Sequence, residues 1–579
     1  MTTQASGFTG RLIFHRLAIV FVAIAAFALV GTQPVFAQAL PGTVPNAGRL
    51  QQELRPPVAP PPEVTVPPIL APTQPKPAAP AGSGDARVNV TGFDFTGNSA
   101  LSSEVLRQAL VAWTGRALNF GDLIEAVEAV EARYKQAGYF LAQGVLPPQK
   151  IKDGVIEIAV SEGRLGETRL EGESRVSSDV VFGYLDRLPK GQALTLPVLE
   201  RQVLLINELA GGRASLDLQA GDEAGSTDVV LAQQPEELIS GRLELSNYGS
   251  PSTGGNRLSL NLNANSAFHL GERITASAMT TDTQGLASYG LRGELPVGSA
   301  GWRLTAAATG TDYSLGGAFA NLLASGFVNT LRAGVGYPLI RSRASNLKLL
   351  LEADTNKLVD KYKSTNTQID KRIRGLTLTV SADALDEFFG GGSTRADLAL
   401  RSGNLTFDLT DPGAFNADQL PAGPRTAGAF SKATLIAQRQ QTVTRELSLQ
   451  GFINLQATNK NLDSSEKLTL GGPATLPGYA NGEASGDEGV LVKLSLRWQA
   501  MSEFALSVFA DYGQVQMAHS PFGATVKNHR HLSDAGLSAD WVIGKGFTAS
   551  AIAAWAGQEP PNPADNDRPR FWVTLGYGW

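Results

Sequence analysis

From Ile239 to the terminal Trp579 the chain repeats one pattern, apolar residues alternating with polar ones at a period of two. Leu376, Leu378, Val380 and Ala382 alternate with Thr377, Thr379, Ser381 and Asp383, and Leu447, Leu449, Ile453 and Leu455 oppose Ser448, Gln450, Asn454 and Gln456. In a strand this period puts the two sets on opposite faces. The segments reach the ~9 to 11 residues a tilted strand needs to cross a bilayer. A soluble sandwich rarely runs so long and wants its aliphatic residues turned inward. The closing stretch RFWVTLGYGW carries the pattern to the end: Phe571, Val573, Leu575, Tyr577 and Trp579 share one face, and Thr574, Gly576 and Gly578 the other. Aromatics at a closing edge suit the lipid-facing girdle of a barrel.

The amino-terminal end explains why strands are the only spanning option. Arg11, His15 and Arg16 precede an uncharged apolar run from Leu17 to Val30, followed by small-residue sites at Val35-Phe36-Ala37 and Ala37-Gln38-Ala39. This reads as a secretory signal peptide over residues 1–37, cleaved after Ala37 or Ala39, and the run is short for a spanning helix. No later segment offers an apolar run of helix-spanning length, and only helices and closed barrels satisfy every backbone group in lipid. Strands are expected near residues 240, 258, 273, 286, 302, 328, 347, 375, 396, 431, 446, 489, 504, 534, 547 and 570. That is about sixteen, an even number large enough to leave an aqueous lumen.

The composition narrows the function. With 49 basic and 54 acidic residues the net charge is −5, which gives no footing for nucleic acid. There is no cysteine, so disulfides, thiolate metal sites and cysteine nucleophiles are excluded, and five histidines are few for an enzyme. Glycine clusters such as Gly390-Gly391-Gly392 open no helix in a phosphate-binding pattern and read as turns. His529 and His531 lack a third ligand of the usual kind nearby, so no metal site is expected. No catalytic constellation is found, and no cofactor is expected.

Between the leader and the strands lie three stretches. AGRLQQELR, Ala47 to Arg55, can form a short helix behind Asn46 as N-cap, in a region (38–86) that otherwise reads as linker. Residues 56 to 80 hold eleven prolines, too many for helix or central strand, and act as a semi-rigid spacer. Residues 87–163 then read strand, helix, helix, strand, strand, with helices from Ser102 or Ser103 to Val111 and from Asp122 to Ala137, Gly138 as C′, and strands at Tyr139–Leu146 and Gly154–Val160. Residues 164–239 repeat the order, including a helix Pro197–Leu209 with proline in its first turn. The barrel follows over 240–579.

FDFTGN, YKQAGYFLAQGVLPPQ and DGVIEIAVSEGRL resemble the first periplasmic POTRA domain of two-partner secretion transporters, the haemolysin secretion and activation family; LERQVLLINELAGG and GSTDVVL resemble the second. LELSNYGSPSTGGNRL resembles the start of that family's barrel. The resemblance implies a transmembrane β-barrel of about sixteen antiparallel strands, preceded by two small α+β POTRA domains, in the outer membrane of a Gram-negative cell with the POTRA domains in the periplasm. The long interruption at 459–488 resembles the family's sixth extracellular loop, which folds back into the lumen and normally carries an arginine before a glycine and an aromatic residue. Here that position is Pro477, followed by Gly478 and Tyr479. The matching wall motif, whose aspartate pairs with the arginine in the family, is Phe509, Asp511 and Gly513. Without the arginine, Asp511 is expected to rely on hydroxyls, backbone amides or another base, and Tyr479 to pack near Phe509.

The function implied is type V, two-partner secretion: an unfolded exoprotein of adhesin or haemolysin type is recognised in the periplasm through its amino-terminal secretion domain and exported through the barrel. The strand Tyr139–Val145, with Tyr139, Leu141, Gln143 and Val145, is the expected client-binding edge of the first POTRA domain. Phe571, Tyr577 and Trp579 form the expected assembly signal, read by the barrel-insertion machinery after periplasmic chaperones deliver the chain; outer-membrane lipid is the remaining partner. The alternatives are an outer-membrane protein insertion factor of the same superfamily, which would carry more POTRA domains, and a passive porin or solute channel, which leaves residues 87–239 idle.

Overall fold

The computed structural model describes residues 44–54, 87–223, 225–410, 412–523, 527–559 and 568–579. The leader expected over 1–37 and the proline-rich spacer at 56–80 lie outside the described residues. Helix α1, Ala47–Glu53, forms where the sequence places it, with the Asn46 side chain accepting the Arg49 N–H at 3.0 Å.

In the first α+β unit the expected opening strand is split. Val88–Val90 pairs with Arg116–Leu118, while Gly92–Thr96 runs parallel to Val155–Ser161. Helix α2, Ser103–Ala109, is capped by Ser102. Helix α3, Phe120–Gln136, starts two residues earlier than the apolar spacing suggests, because Asn119 and Asp122 close a capping box. The apolar faces of both helices and the sheet meet in one core around Val90, Phe93, Leu106, Val130, Ile156 and Ile158.

The strand expected over Tyr139–Leu146 is shorter than that, covering only Gln143–Val145 at the sheet edge. Gly138, at φ +91°, ends α3 in a Schellman motif, the Tyr139 N–H reaching the Tyr134 carbonyl and the Gly138 N–H that of Lys135. Tyr139 to Ala142 are spent on this turn. Tyr139 packs edge-on to Tyr134, and Leu141 is buried in the core of the second unit, so neither lies on the edge strand.

The second unit repeats the order: strand Arg164–Gly172, α4 Ser178–Leu185, α5 Leu196–Asn207, then strands Gly212–Ala220 and Ser226–Pro235, with Ser226–Pro235 central. Pro197 sits in the first turn of α5. This helix seats the unit on the periplasmic turns of the barrel: Glu208 pairs with Arg303 at 3.0 Å and with Arg341, Glu200 pairs with Arg343 at 3.2 Å, and Arg201 donates to the Pro338 carbonyl at 2.8 Å.

Sixteen antiparallel strands follow, from Ile239–Ser246 to Arg570–Gly578, each paired with its neighbour in the chain, and the last pairs with the first to close the barrel. Each expected strand position falls on or next to an observed one. Phe571, Val573, Leu575, Tyr577 and Trp579 are all at least a third exposed on the outer face, while Trp572 and Thr574 are buried toward the lumen. Tyr577 stacks on Trp579 and lies 4.6 Å from Phe547, continuing an outer aromatic band.

Candidate functional site

The lumen is occupied from two directions. Loop 459–487 folds inward as a hairpin of Leu468–Leu470 and Ala484–Gly486. Beside it lies α1. Its Ala47 N–H donates to Asp360 Oδ1 at 2.7 Å, Gln51 Nε2 reaches Thr330 Oγ1 at 3.1 Å, and Leu50 is buried among Leu286, Leu358, Ile373 and Leu405 of the wall.

At the loop tip all three motif residues meet the wall. The Pro477 carbonyl accepts from Trp572 Nε1 at 2.7 Å, the Gly478 N–H donates to Asp534 Oδ2 at 2.5 Å, and the Tyr479 hydroxyl donates to Gln558 Oε1 at 2.7 Å. Gly478 is required by close approach, since a Cβ there would lie 2.8 Å from the Asp534 side chain and 2.9 Å from the Ala556 nitrogen. Burial pushes the Tyr479 hydroxyl up to about 12, so it stays a neutral donor. Its ring is buried among Leu468, Leu470, Leu476, Leu491, Val515 and Leu532, an apolar cluster that does not include Phe509. Phe509 lies instead over Gly536 on the next strand. Gly513 faces the loop, where a Cβ would come within 2.9 Å of both Leu470 and Leu476.

Asp511 is 2% exposed and, among the described residues, takes no hydrogen bond from the loop tip. Lys493, Asp511 and Asp534 form a row across three neighbouring strands, and Lys493 Nζ stands 3.7 Å from Asp511 Oδ2. The base beside Asp511 is thus Lys493 of the wall, and the loop's acceptor is Asp534. Neither Asp511 oxygen has a hydrogen-bond partner among the described residues.

The ionic anchoring lies at the loop's root, with the signs exchanged. Asp463 pairs with Lys371 of the wall at 2.6 Å; Glu466 pairs with Arg401 at 3.0 Å and Lys432 at 2.7 Å, and Arg401 also holds Asp354. Here the loop supplies the acids and the wall the bases. The same root holds α1: Ser464 Oγ donates to Asn46 Oδ1 at 2.9 Å, Gln52 Nε2 donates to the Ser465 carbonyl, and Gly48 packs so closely on Ser464 and Ser465 that a Cβ would clash. These root residues are absent from the sequence expectations. The alternation that assigns inward faces also places Lys371, Arg401 and Lys432 in the lumen, and that signal could have found them.

A closed sixteen-stranded barrel, preceded by two α+β units and filled by an inward-folded loop, defines the class of outer-membrane, POTRA-bearing barrel transporters. The chain belongs to the haemolysin secretion/activation protein ShlB/FhaC/HecB family, whose profile matches residues 225–533, and residues 88–163 match a ShlB-type POTRA domain. Among curated proteins it is 24% identical over 491 residues to the heme/hemopexin transporter protein HuxB of Haemophilus influenzae, covering 83% of this chain and 84% of that one. It is 24% identical over 444 residues to the outer membrane transporter CdiB of Escherichia coli, covering 74% of this chain and 72% of that one. The solved structure of CdiB from Escherichia coli superposes with a TM-score of 0.68 at 18% identity, covering 100% of both chains. Members of this family are transporters of two-partner secretion in the outer membrane, with their POTRA domains in the periplasm.

Proposed function

We propose that this transporter recognises one exoprotein by strand addition to its first POTRA domain and passes it unfolded through the barrel once α1 and the inward loop have moved. The client is a secreted protein of adhesin or haemolysin type with an amino-terminal secretion domain. The export step uses no covalent chemistry of the chain's own. Assembly in the membrane uses the insertion machinery, reading Phe571, Tyr577 and Trp579, with periplasmic chaperones upstream and outer-membrane lipid around the barrel.

The observation that carries the docking reading is the state of the edge at Gln143–Val145. Its neighbour on one side is Val155–Ser161; on the other side the Gly144 N–H donates to Glu131 Oε1 of α3 at 3.0 Å. Successive N–H groups of a strand point to opposite sides, so Gly144 carries the outward donor, while Gln143 and Val145 face the neighbouring strand. Glu131 stands where a client carbonyl would bind, and Val145 is 47% exposed beside it. A proline at Gln143 would therefore damage the sheet rather than the docking edge.

Glu131→Ala should free the donor and raise the affinity of the full transporter for the secretion domain of its exoprotein, which the neighbouring reading frame would encode, by roughly fivefold, about the worth of one displaced hydrogen bond. Affinity unchanged or lowered in this variant, measured on the purified transporter, would rule the edge out. Deleting 88–163 should abolish export while leaving a folded barrel.

A further inference from the structure

The lipid-facing surface of the strands Leu286–Val297 to Thr367–Asp386 has two features that the transport reading leaves unused. The first is a shallow apolar groove, lined by Leu291, Ala308, Leu331, Ala333, Ala353 and, at one end, Arg374. The second is a cluster of bases at that end. Lys357 and Arg372 are direct cross-strand partners, and Arg374 is the next outward residue along the same strand, opposite Thr355. All three are exposed, and none is paired with an acidic residue among the described residues. On the loop side Asp370 takes a hydrogen bond from Gln368 and Asp408 one from Thr410, and Lys357 stands near enough to Asp408 to add a weaker pull on its carboxylate without forming a salt bridge.

Like charges placed directly opposite in a sheet repel, and bases on a lipid-facing wall are unfavourable unless they reach an interface. Height fixes which interface it is. Leu349 pairs with Tyr337, which lies 4.6 Å from Trp302 in the periplasmic aromatic girdle, and Lys357 stands eight residues further along the same strand. At ~3.3 Å per residue and a tilt of about 40°, Lys357 lies about 20 Å above that girdle, close to the top of an apolar band ~25 Å tall. Lys357 and Arg372 therefore stand just below the headgroup level of the outer leaflet and Arg374 one step lower, from where long side chains reach up to the headgroups, with the groove running below them at acyl-chain depth.

We propose that Lys357, Arg372 and Arg374 bind the phosphate of an acylated phosphoglycolipid of the outer leaflet, with one of its acyl chains lying in the groove over Ala308, Ala333 and Ala353. Guanidinium groups suit phosphate oxygens through paired N–H donors, and Lys357 adds a compact charge while resting over the Phe327 ring at 5.7 Å. The small side chains make room for a chain that Leu291 and Leu331 flank.

The test uses the full-length protein in detergent, with bisphosphorylated, hexa-acylated lipid A as the probe and native mass spectrometry as the readout. The parent protein should retain lipid A, and should retain the same lipid stripped of its phosphates at least tenfold less. Lys357→Gln/Arg372→Gln/Arg374→Gln should lower lipid A retention at least tenfold, and Ala333→Leu, which fills the groove and leaves the bases in place, severalfold. Heat-modifiable mobility checks that each variant is a folded barrel. Equal retention of the phosphorylated and phosphate-free lipids by the parent protein would overturn the proposal without recourse to any variant. So would undiminished retention by the folded triple variant, or tighter retention of dioleoylphosphatidylglycerol than of lipid A.

Discussion

Pro477 lets the loop tip reach the barrel wall without a charge, and the contacts around it show which aspartate matters. Asp534 accepts the Gly478 N–H, whereas Asp511, between Asp534 and Lys493, has Lys493 as its one salt-bridge partner among the described residues, and Lys493 also donates to the Ala474 carbonyl at 3.4 Å. Asp511→Asn removes one of two adjacent buried carboxylates and leaves the lysine another acceptor, so export and loop protection should stay near the parent level. Asp534→Ala leaves a buried N–H unmatched, a loss of about 1–3 kcal/mol from the anchored loop. Surface-added protease should cut the loop faster in Asp534→Ala than in Asp511→Asn, and the reverse order would refute this assignment. The inward face of Asp511 was legible in the alternation, but the identity of its partner was not, because Lys493 and Asp534 become neighbours only through strand register. Glu162 was hidden for the same reason: it joins Ser99, the Ala100 N–H at 2.7 Å and the Tyr134 hydroxyl at 2.8 Å across the first POTRA domain. Burial alone would raise its carboxyl, but these donors outweigh burial and hold it below the usual carboxylate range. A group depressed in the folded state contributes stability that is present above the unfolded value, about 4.3, and is lost as pH falls through the folded value. Hydrogen exchange on the full protein should show this domain loosening below about pH 4, with Glu162→Gln weaker at pH 7 and flatter with acid. An identical acid profile in the variant would exclude Glu162 as the cause.

At the scale of elements, loop 459–487 and α1 behave as one plug because the turn Ser464–Glu466 holds both. Glu466 is 3% exposed and has two bases on it, so removing its charge leaves Arg401 and Lys432 under-compensated in the lumen. Breaking such a buried network costs about 3–5 kcal/mol. Glu466→Gln should therefore release α1 along with the loop root, seen in planar bilayers as larger and more frequent openings of the full-length protein; a conductance equal to the parent's would separate the loop root from the plug. Sequence reasoning reached the helix itself, since Asn46 and the apolar spacing are local signals. Its place in the lumen was out of reach, because Asp360, Thr330 and Leu286 approach it only when the sheet has closed. The overlong strand expected at Tyr139–Leu146 has the opposite origin. Its alternation is genuine, but Gly138 commits the following residues to the Schellman turn and Leu141 to the neighbouring unit's core.

For the whole molecule, the pattern that named the architecture also sets its weakest seam. Every other pairing in the barrel joins strands that follow one another in the chain, while Arg570–Gly578, besides pairing with Phe547–Ala556, has to find Ile239–Ser246 across the full length of the barrel sequence. That seam is short, its register running only from Thr574 opposite Ser246 to Gly578 opposite Arg242. Trp579 extends it by a reciprocal pair, its N–H donating to the Gly241 carbonyl at 3.1 Å and its carbonyl accepting the Gly241 N–H at 3.0 Å. Its ring lies flat over Gly241, where a Cβ would come within 2.4 Å, so the absence of a side chain at Gly241 is part of the closure. Deleting Gly578 and Trp579 removes the reciprocal pair, the last register partner and the end of the aromatic band together, and it exposes an unpaired edge to the periplasm. The shortened chain should accumulate as a degraded or soluble periplasmic species with little heat-modifiable barrel in the outer membrane. Gly241→Val, which keeps every terminal residue but blocks the ring, should reproduce part of that defect. Normal outer-membrane levels of both variants would show that the seam closes without its terminal tryptophan.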